Sequence, residues 1–165
     1  MEEIEIRRMQ AGEEGKIYEL VVRTFDRFVA PGYSIQGVEE FLKYANPQRL
    51  SERIENNHFS LAAWLQSLVV GMIEVRDCRH VSMFFVDQKY QGQGIGKKLH
   101  QHALEICLQH NPDLECISVF SSPYAVPIYE RLGFETSGLD QYQSGMHFIP
   151  MVLKLKKCPS RKSLK

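Results

Sequence analysis

The residues best placed to do chemistry are three glycines at alternate positions. Gly92, Gly94 and Gly96 lie in "VDQKYQGQGIGKKL" (residues 86–99), between an apolar stretch and a helical pattern, with Lys97 and Lys98 directly after them. Glycine costs roughly 0.5–1 kcal/mol relative to alanine inside a regular element, so this clustering asks for a reason. A strand that enters a helix through such a turn presents up to four unpaired backbone N–H groups, reinforced by about half a positive charge from the helix dipole. Without side chains in the way, a phosphate can approach those donors closely, and the lysines add charge just inside the helix. The stretch reads as a phosphate-binding turn; a bare tight turn needs only one or two glycines.

Two familiar phosphate motifs do not fit. The P-loop needs a glycine five residues before Gly96 and Ser or Thr after Lys97; the chain has Gln91 and Lys98 there. The dinucleotide turn needs G-x-G-x-x-G after an opening βαβ unit; here the third glycine comes one residue early and the preceding strands read as a meander.

The elements around the turn are legible from periodicity. Residues 3–8 alternate as a strand. Ala11 to Phe28 is helical, with Ile17, Leu20, Val21, Thr24, Phe25 and Phe28 on one face. Pro31-Gly32 ends it, Ser34 caps a second helix to Ala45, and a short helical piece covers Gln48 to Glu55. "HFSLAAWL" and "LVVGMIEVR" pair as a hairpin through Gln66-Ser67, and residues 80–86 add a third strand. A helix runs from the glycine turn to about His110. A strand over 114–120, a short helix over 123–132 opened by Ser122 and Pro123, and strands at 134–138 and 146–155 complete the chain. One mixed α/β layer structure, residues 1–155, accounts for these elements.

The chain has 165 residues, 44% hydrophobic and 24% charged, with no net charge. That balance is ordinary for a globular domain and disfavours nucleic-acid binding by its body. No window approaches the roughly 18 consecutive apolar residues of a membrane span, and the acidic, alternating N-terminus is unlike a signal peptide. Cys78, Cys107, Cys116 and Cys158 show no C-x-x-C spacing, which argues against a metal site or redox pair and for idle thiols in the cytoplasm. Residues 156–165 form a basic tail, expected to be solvated.

Two motifs then point to a family. Gln91-Gly92-Gln93-Gly94-Ile95-Gly96 fits Q/R-x-x-G-x-G/A, and "SSPYAVPIYERLGFE" (residues 121–135) fits N-x-x-A-x-x-x-Y-x-x-x-G-F at Ala125, Tyr129, Gly133 and Phe134. With the order of elements, these make the chain resemble the GNAT acetyltransferase superfamily over almost its whole length. Ser122 is a departure, standing where the family often has Asn.

The resemblance implies an acyl-CoA N-acyltransferase fold: a central mixed β-sheet of about 6–7 strands, flanked by helices and splayed at its middle. It implies acetyl-CoA as cosubstrate, with no metal. Phe84, Phe85 and Val86 would pair with the pantetheine arm like an extra strand. Gln91, Gly92, Gln93, Gly94, Ile95, Gly96 and Lys97 would hold the pyrophosphate, with Ser122 near the arm. The implied reaction moves the acetyl group directly to a primary amine of a small molecule or peptide.

An alkyl amine has a pKa of about 10, so a proton must leave before attack. A strand N–H can stabilise the oxyanion, and the departing thiolate benefits from a proton donor. Tyr129, at the family's acid position, is the expected donor. Tyr124 is its neighbouring alternative, and packing against Ala125 and Leu132 is the structural one. Glu74, alone among apolar residues in "VVGMIEV" and sharing a strand face with Val70 and Met72, is the expected base, desolvated by helix cover. A surface carboxylate near Arg76 or Arg79, His80 as base, and ordered water are the alternatives. The acceptor pocket falls to residues 25–45 and 139–147, where Phe25, Phe28, Tyr33, Tyr44, Tyr142 and His147 are either its aromatic walls or core. A non-catalytic acyl-CoA sensor is the competing reading. The expected partners are acetyl-CoA and an amine, with neither nucleic acid nor membrane and with room for a homodimer.

Overall fold

The computed structural model describes residues 2–155; the basic tail and Cys158 lie outside them. Strands β1 (Ile4–Arg8), β2 (His58–Leu65), β3 (Leu68–Arg76), β4 (His80–Val86), β5 (Cys116–Ser121), β6 (Glu135–Thr136), β7 (Gln141–Gln143) and β8 (Met146–Lys154) alternate with helices α1 (Glu14–Phe28), α2 (Ile35–Ala45), α3 (Pro47–Ile54), α4 (Ile95–His110) and α5 (Val126–Arg131). The strands form one mixed sheet in the order β1-β2-β3-β4-β5-β8-β6, with β7 pairing on β8. This is the expected mixed α/β architecture with one strand more: the short β7, whose QYQ carries no alternation signal, forms because the turn at Ser144 and Gly145 folds it back on β8.

Local chemistry sets the helix ends. Ser34 accepts a hydrogen bond from the Gly37 amide and Asn46 one from the Arg49 amide, capping α2 and α3 as short polar side chains do. Pro47 occupies the first turn of α3, where its missing N–H costs nothing. Two expected starts move inward. The chain turns at Gly12 before α1 begins at Glu14, and Pro123 to Ala125 form a turn before α5 begins at Val126. Ser122 still acts as a cap-like group, its hydroxyl accepting from the Ala125 amide at 3.3 Å.

The sheet is covered on both faces. Ile17, Leu20, Val21 and Leu50 from α1 and α3 pack on Ala62, Trp64, Met72 and Met83. Ile95, Leu99, Ala103 and Cys107 from α4 pack on Leu61, Val70, Ile73, Val75 and Val81. Covered twice, β3 is buried from Val69 to Val75, which is why it reads as an apolar run and not as an alternation. Val70 was expected on the face of Glu74. The register shifts between Ala63 and Trp64, leaving Val70 unpaired with β2, and it joins the α4 face instead.

The feature that positions the site is the junction of β4 and β5. They pair in parallel only at His80↔Ser118 and Val81↔Val119. Beyond Val81 they part, and the edge of residues 82–86 facing β5 has no strand partner among the described residues. A second bulge lies at the parting point: Glu74 pairs with Met83 and Val75 with Val81, so Ser82 is the extra residue.

Candidate active site

Between the parted strands runs a cleft of about 1040 Å³, bounded by β4, the glycine turn, the start of α4, α5, α2 and the turn before β8. Its volume is at the upper end of the roughly 300–1,000 Å³ of small-molecule sites.

One end is built from backbone. Gly92 and Gly94 have φ of +78° and +83°, and Gly94 is the N-cap residue of α4. Side-chain-bearing residues avoid this left-handed region, so the glycines let the turn deliver the amides of the first α4 turn to the cleft. A Cβ at either glycine would meet no atom within 4 Å, so their surroundings leave the backbone approachable. Residues 84–86, 91, 92 and 94–97 line the cleft, as do Ser122 and Tyr129; Gln93 is exposed and is not among the lining residues. The Gln91 side-chain amide donates to the Val86 carbonyl at 3.0 Å, tying the turn to the end of β4. Asp87 extends that tie: it accepts from the Lys89 amide and from the guanidinium of Arg23 on α1, the latter at 2.8 Å. No local pattern marks this pair, whose members are 64 residues apart.

Tyr129 faces the splay from α5. Its ring meets Phe84 edge-on at 6.1 Å and Phe134 at 5.3 Å, and only 6% of it is exposed. Burial pushes the phenol's pKa up, so it keeps its proton. Tyr124 instead stacks on Phe28 of α1 at 4.6 Å, joining the α1 and α5 sides of the cleft.

Glu74 is fully buried, and not at the surface beside Arg76 or Arg79. Arg53 of α3 forks onto it, Nε and Nη2 donating at 3.1–3.2 Å. The Tyr44 hydroxyl donates to Oε1 at 3.0 Å and the Ser82 hydroxyl at 2.6 Å. Glu74 does not line the cleft, whereas Tyr44 and Ser82 do. Arg53 also lies over the Tyr44 ring at 3.7 Å and donates to the Tyr44 carbonyl, fixing α2 against α3. Tyr44's own pKa is raised, first by burial and then by the charge of Glu74. Ser82 and Arg53 escaped sequence reasoning: a lone serine in a strand and an arginine on a short polar helix look alike wherever they point.

His80 stands at the closed end of the cleft, Nδ1 2.7 Å from the Ser118 hydroxyl and its ring against Phe120. Burial, then the charge of Arg76, lowers its pKa to about 4, so it is neutral at neutral pH.

The expected aromatic walls divide. Phe28, Tyr33 and Tyr44 line the cleft, joined by Phe41, Phe85 and Glu40. Phe25 is core, stacked on Phe41 at 4.0 Å. Tyr142 and His147 stack on each other at 4.3 Å outside the lining, with His147 paired to Asp140. What the 139–147 segment brings to the cleft is Gln143, Ser144 and Met146, pinned to α2 where the Ser34 amide donates to the Gly145 carbonyl at 3.1 Å. A methyl group on Gly37 would collide with that carbonyl.

Comparison with known proteins places this geometry. A model of the acetyltransferase (GNAT) domain matches residues 29–155. The spermine/spermidine N(1)-acetyltransferase of Bacillus subtilis (strain 168) is 38% identical over 61 residues, which are 33% of this chain and 38% of that protein, so the match spans well under half of that relative. The peptidyl-lysine N-acetyltransferase YjaB of Salmonella typhimurium is 28% identical over 109 residues, 64% of this chain and 72% of that one. Among solved structures, the PaiA N-acetyltransferase of Thermoplasma acidophilum, in complex with coenzyme A, superposes with a TM-score of 0.77 at 20% identity, over 92% of this chain and 99% of that one. A GCN5-related N-acetyltransferase from Rhodopseudomonas palustris gives 0.78 at 17% identity, over 92% and 95%. At these identities the superpositions speak for the fold.

Proposed function

The chain belongs to the GNAT acetyltransferase family; from that premise we propose that it is an acyltransferase that moves the acetyl group of acetyl-CoA directly to a primary amine. The observation that carries this reading is the parted pair β4–β5 with a glycine turn at its mouth and the Tyr129 phenol across it.

The diphosphate sits on the amides of residues 92–97, with Lys97 adding charge. The pantetheine arm runs along the free edge of residues 84–86, and Ser122 meets it with a shorter side chain than the usual Asn. The thioester then falls near the bulge at Ser82. Tyr129, kept protonated by its burial, gives a proton to the departing thiolate. Glu74 is the acceptor of the amine's proton, which must cross a hydroxyl to reach it. The acceptor enters between α2 and the β7–β8 turn, past the aromatic walls and Glu40. Similarity to a polyamine acetyltransferase and to a peptidyl-lysine acetyltransferase supports a slender alkyl amine, free or on a peptide.

In this reading residues 1–155 are the catalytic domain and 156–165 an appended tail. The setting is a reducing cytoplasm, in keeping with Cys78, Cys107 and Cys116 as free thiols. No helix among the described residues is long and apolar enough to cross a membrane.

The test is thiol release from acetyl-CoA with spermidine and with an N-acetyl-lysine amide as acceptors. Release that needs an amine supports the reading. Tight acetyl-CoA binding with no amine-dependent release would favour a sensor.

A further inference from the structure

A carboxylate accepts hydrogen bonds and cannot give one. Glu74, forked by Arg53 and fully buried, therefore takes the hydroxyl hydrogens of both Ser82 and Tyr44. Each hydroxyl has a single hydrogen, so with that hydrogen on Glu74 each oxygen keeps lone-pair capacity for another donor, and both residues line the cleft. Ser82 is also the bulge residue where β4 leaves β5. Two hydroxyl-bearing side chains of the cleft lining thus meet at Glu74 where β4 parts from β5, with Met83 and Phe85, further along β4, also in the lining.

We propose that Ser82 and Tyr44 form the seat of the acceptor amine, holding its N–H groups so that the nitrogen lone pair faces the thioester carbon, with Glu74 and Arg53 as the positioning residues behind them. The proposal rests on the acetyl-transfer reading and deepens it. The amine enters neutral, having lost its first proton to solvent. Its nitrogen attacks the carbonyl carbon; the N–C bond forms and the C–S bond breaks. The surplus proton on nitrogen passes to the Ser82 oxygen as Ser82's own proton moves to Glu74. The sulfur takes the Tyr129 proton. After products leave, the proton on Glu74 returns to the Tyr129 phenolate through solvent, so the cycle closes with one proton moved from nitrogen to sulfur. The seat selects acceptors with at least two N–H groups, one for each oxygen.

The experiment compares the full-length wild type with Ser82→Ala, Tyr44→Phe, their double variant and Ser82→Thr, using spermidine and N-acetyl-lysine amide as probes. Calorimetry on the CoA-loaded protein reads amine binding, thiol release reads turnover, and a titration with acetyl-CoA checks the coenzyme end. Losing one hydrogen bond to a charged or reacting group is expected to lower amine affinity and kcat/KM by about tenfold in each single variant, and by about 100-fold in the double. Acetyl-CoA affinity stays within about twofold, and Ser82→Thr, which keeps the hydroxyl, recovers most of the loss. The proposal is overturned if the double variant binds the amines like wild type, if wild type binds neither amine, or if acetyl-CoA affinity falls in step with turnover, which would make the network a fold element only. A wild type that binds an amine at this seat but releases no thiol contradicts the transfer reading and leaves the seat standing.

Discussion

The two ends of the cleft are made of different material. At the proposed coenzyme end, the main chain of residues 92–97 and the free edge of residues 84–86 are what the cleft offers, and the side chains there are mostly hydrogens or core groups. At the proposed acceptor end the main chain bulges at Ser82, and the polar groups sit on side chains drawn from four separate elements: Tyr44 on α2, Arg53 on α3, Glu74 on β3 and Ser82 on β4. A site of backbone leaves its trace in the sequence as residues that are missing, as glycines at fixed spacing. A site of side chains leaves no spacing at all, because its members meet only after folding.

Four changes break or sharpen that contrast, from the largest effect downward. Arg53→Met leaves the Glu74 carboxylate buried without its counter-charge, and breaking such a pair costs about 3–5 kcal/mol. Melting is expected to fall by roughly 10–15 °C, while acetyl-CoA affinity of the folded protein stays within about twofold. A loss under about 1 kcal/mol in urea unfolding would show that the acceptor end does not depend on the pair.

Each end also backs onto a buried histidine: His80 at the closed end of the cleft and His100 in α4, against Phe134. Burial lowers both to about 4. The unfolded chain takes up these protons near pH 6.5 and the folded chain only near 4, so stability is level above pH 7 and drops as pH falls between those values. At pH 5 the loss is about 2 kcal/mol per histidine. Urea midpoints at pH 7 and pH 5 measure it, and His100→Asn should halve the drop; an unchanged drop would assign it elsewhere.

Gly94→Val puts a β-branched residue at φ +83°. The strain of about 2 kcal/mol in the turn translates into roughly 30-fold weaker acetyl-CoA binding by calorimetry, with amine binding to the free protein unaffected. Equal loss of both would mean that the two ends are not separable. Tyr129→Phe, at the meeting point of the two ends, is expected to lower kcat at least tenfold, the modest end of the range for a proton donor, without changing acetyl-CoA affinity. An unchanged kcat would clear Tyr129 of the acid role.

Most of the fold was legible because its signals are local. The alternation of Ile4 and Ile6, the Ser34 cap and the apolar run of β3 each follow from neighbouring residues. Val70 was misplaced because a bulge changes the phase of a strand without changing its composition. The glycine turn could be found for the reason given above, and Tyr129 through its motif. Glu74 could be singled out as a lone charge in an apolar run, but its surroundings could not. Arg53 is 21 residues away from it and Tyr44 is 30, and no periodicity links such distances. Residue type left Phe25, Tyr142 and His147 open between pocket wall and core, and packing put Phe25 in the core and the other two outside the cleft lining.

The claim on which the rest depends is that the amides around Gly94 hold the diphosphate of acetyl-CoA. Calorimetric titration of the intact chain with acetyl-CoA, ATP and NAD in parallel tests it most directly. Saturable binding of acetyl-CoA, at least about tenfold tighter than either nucleotide and weakened by Gly94→Val, is the expected result; no heat from acetyl-CoA, or equal affinity for all three, would contradict it.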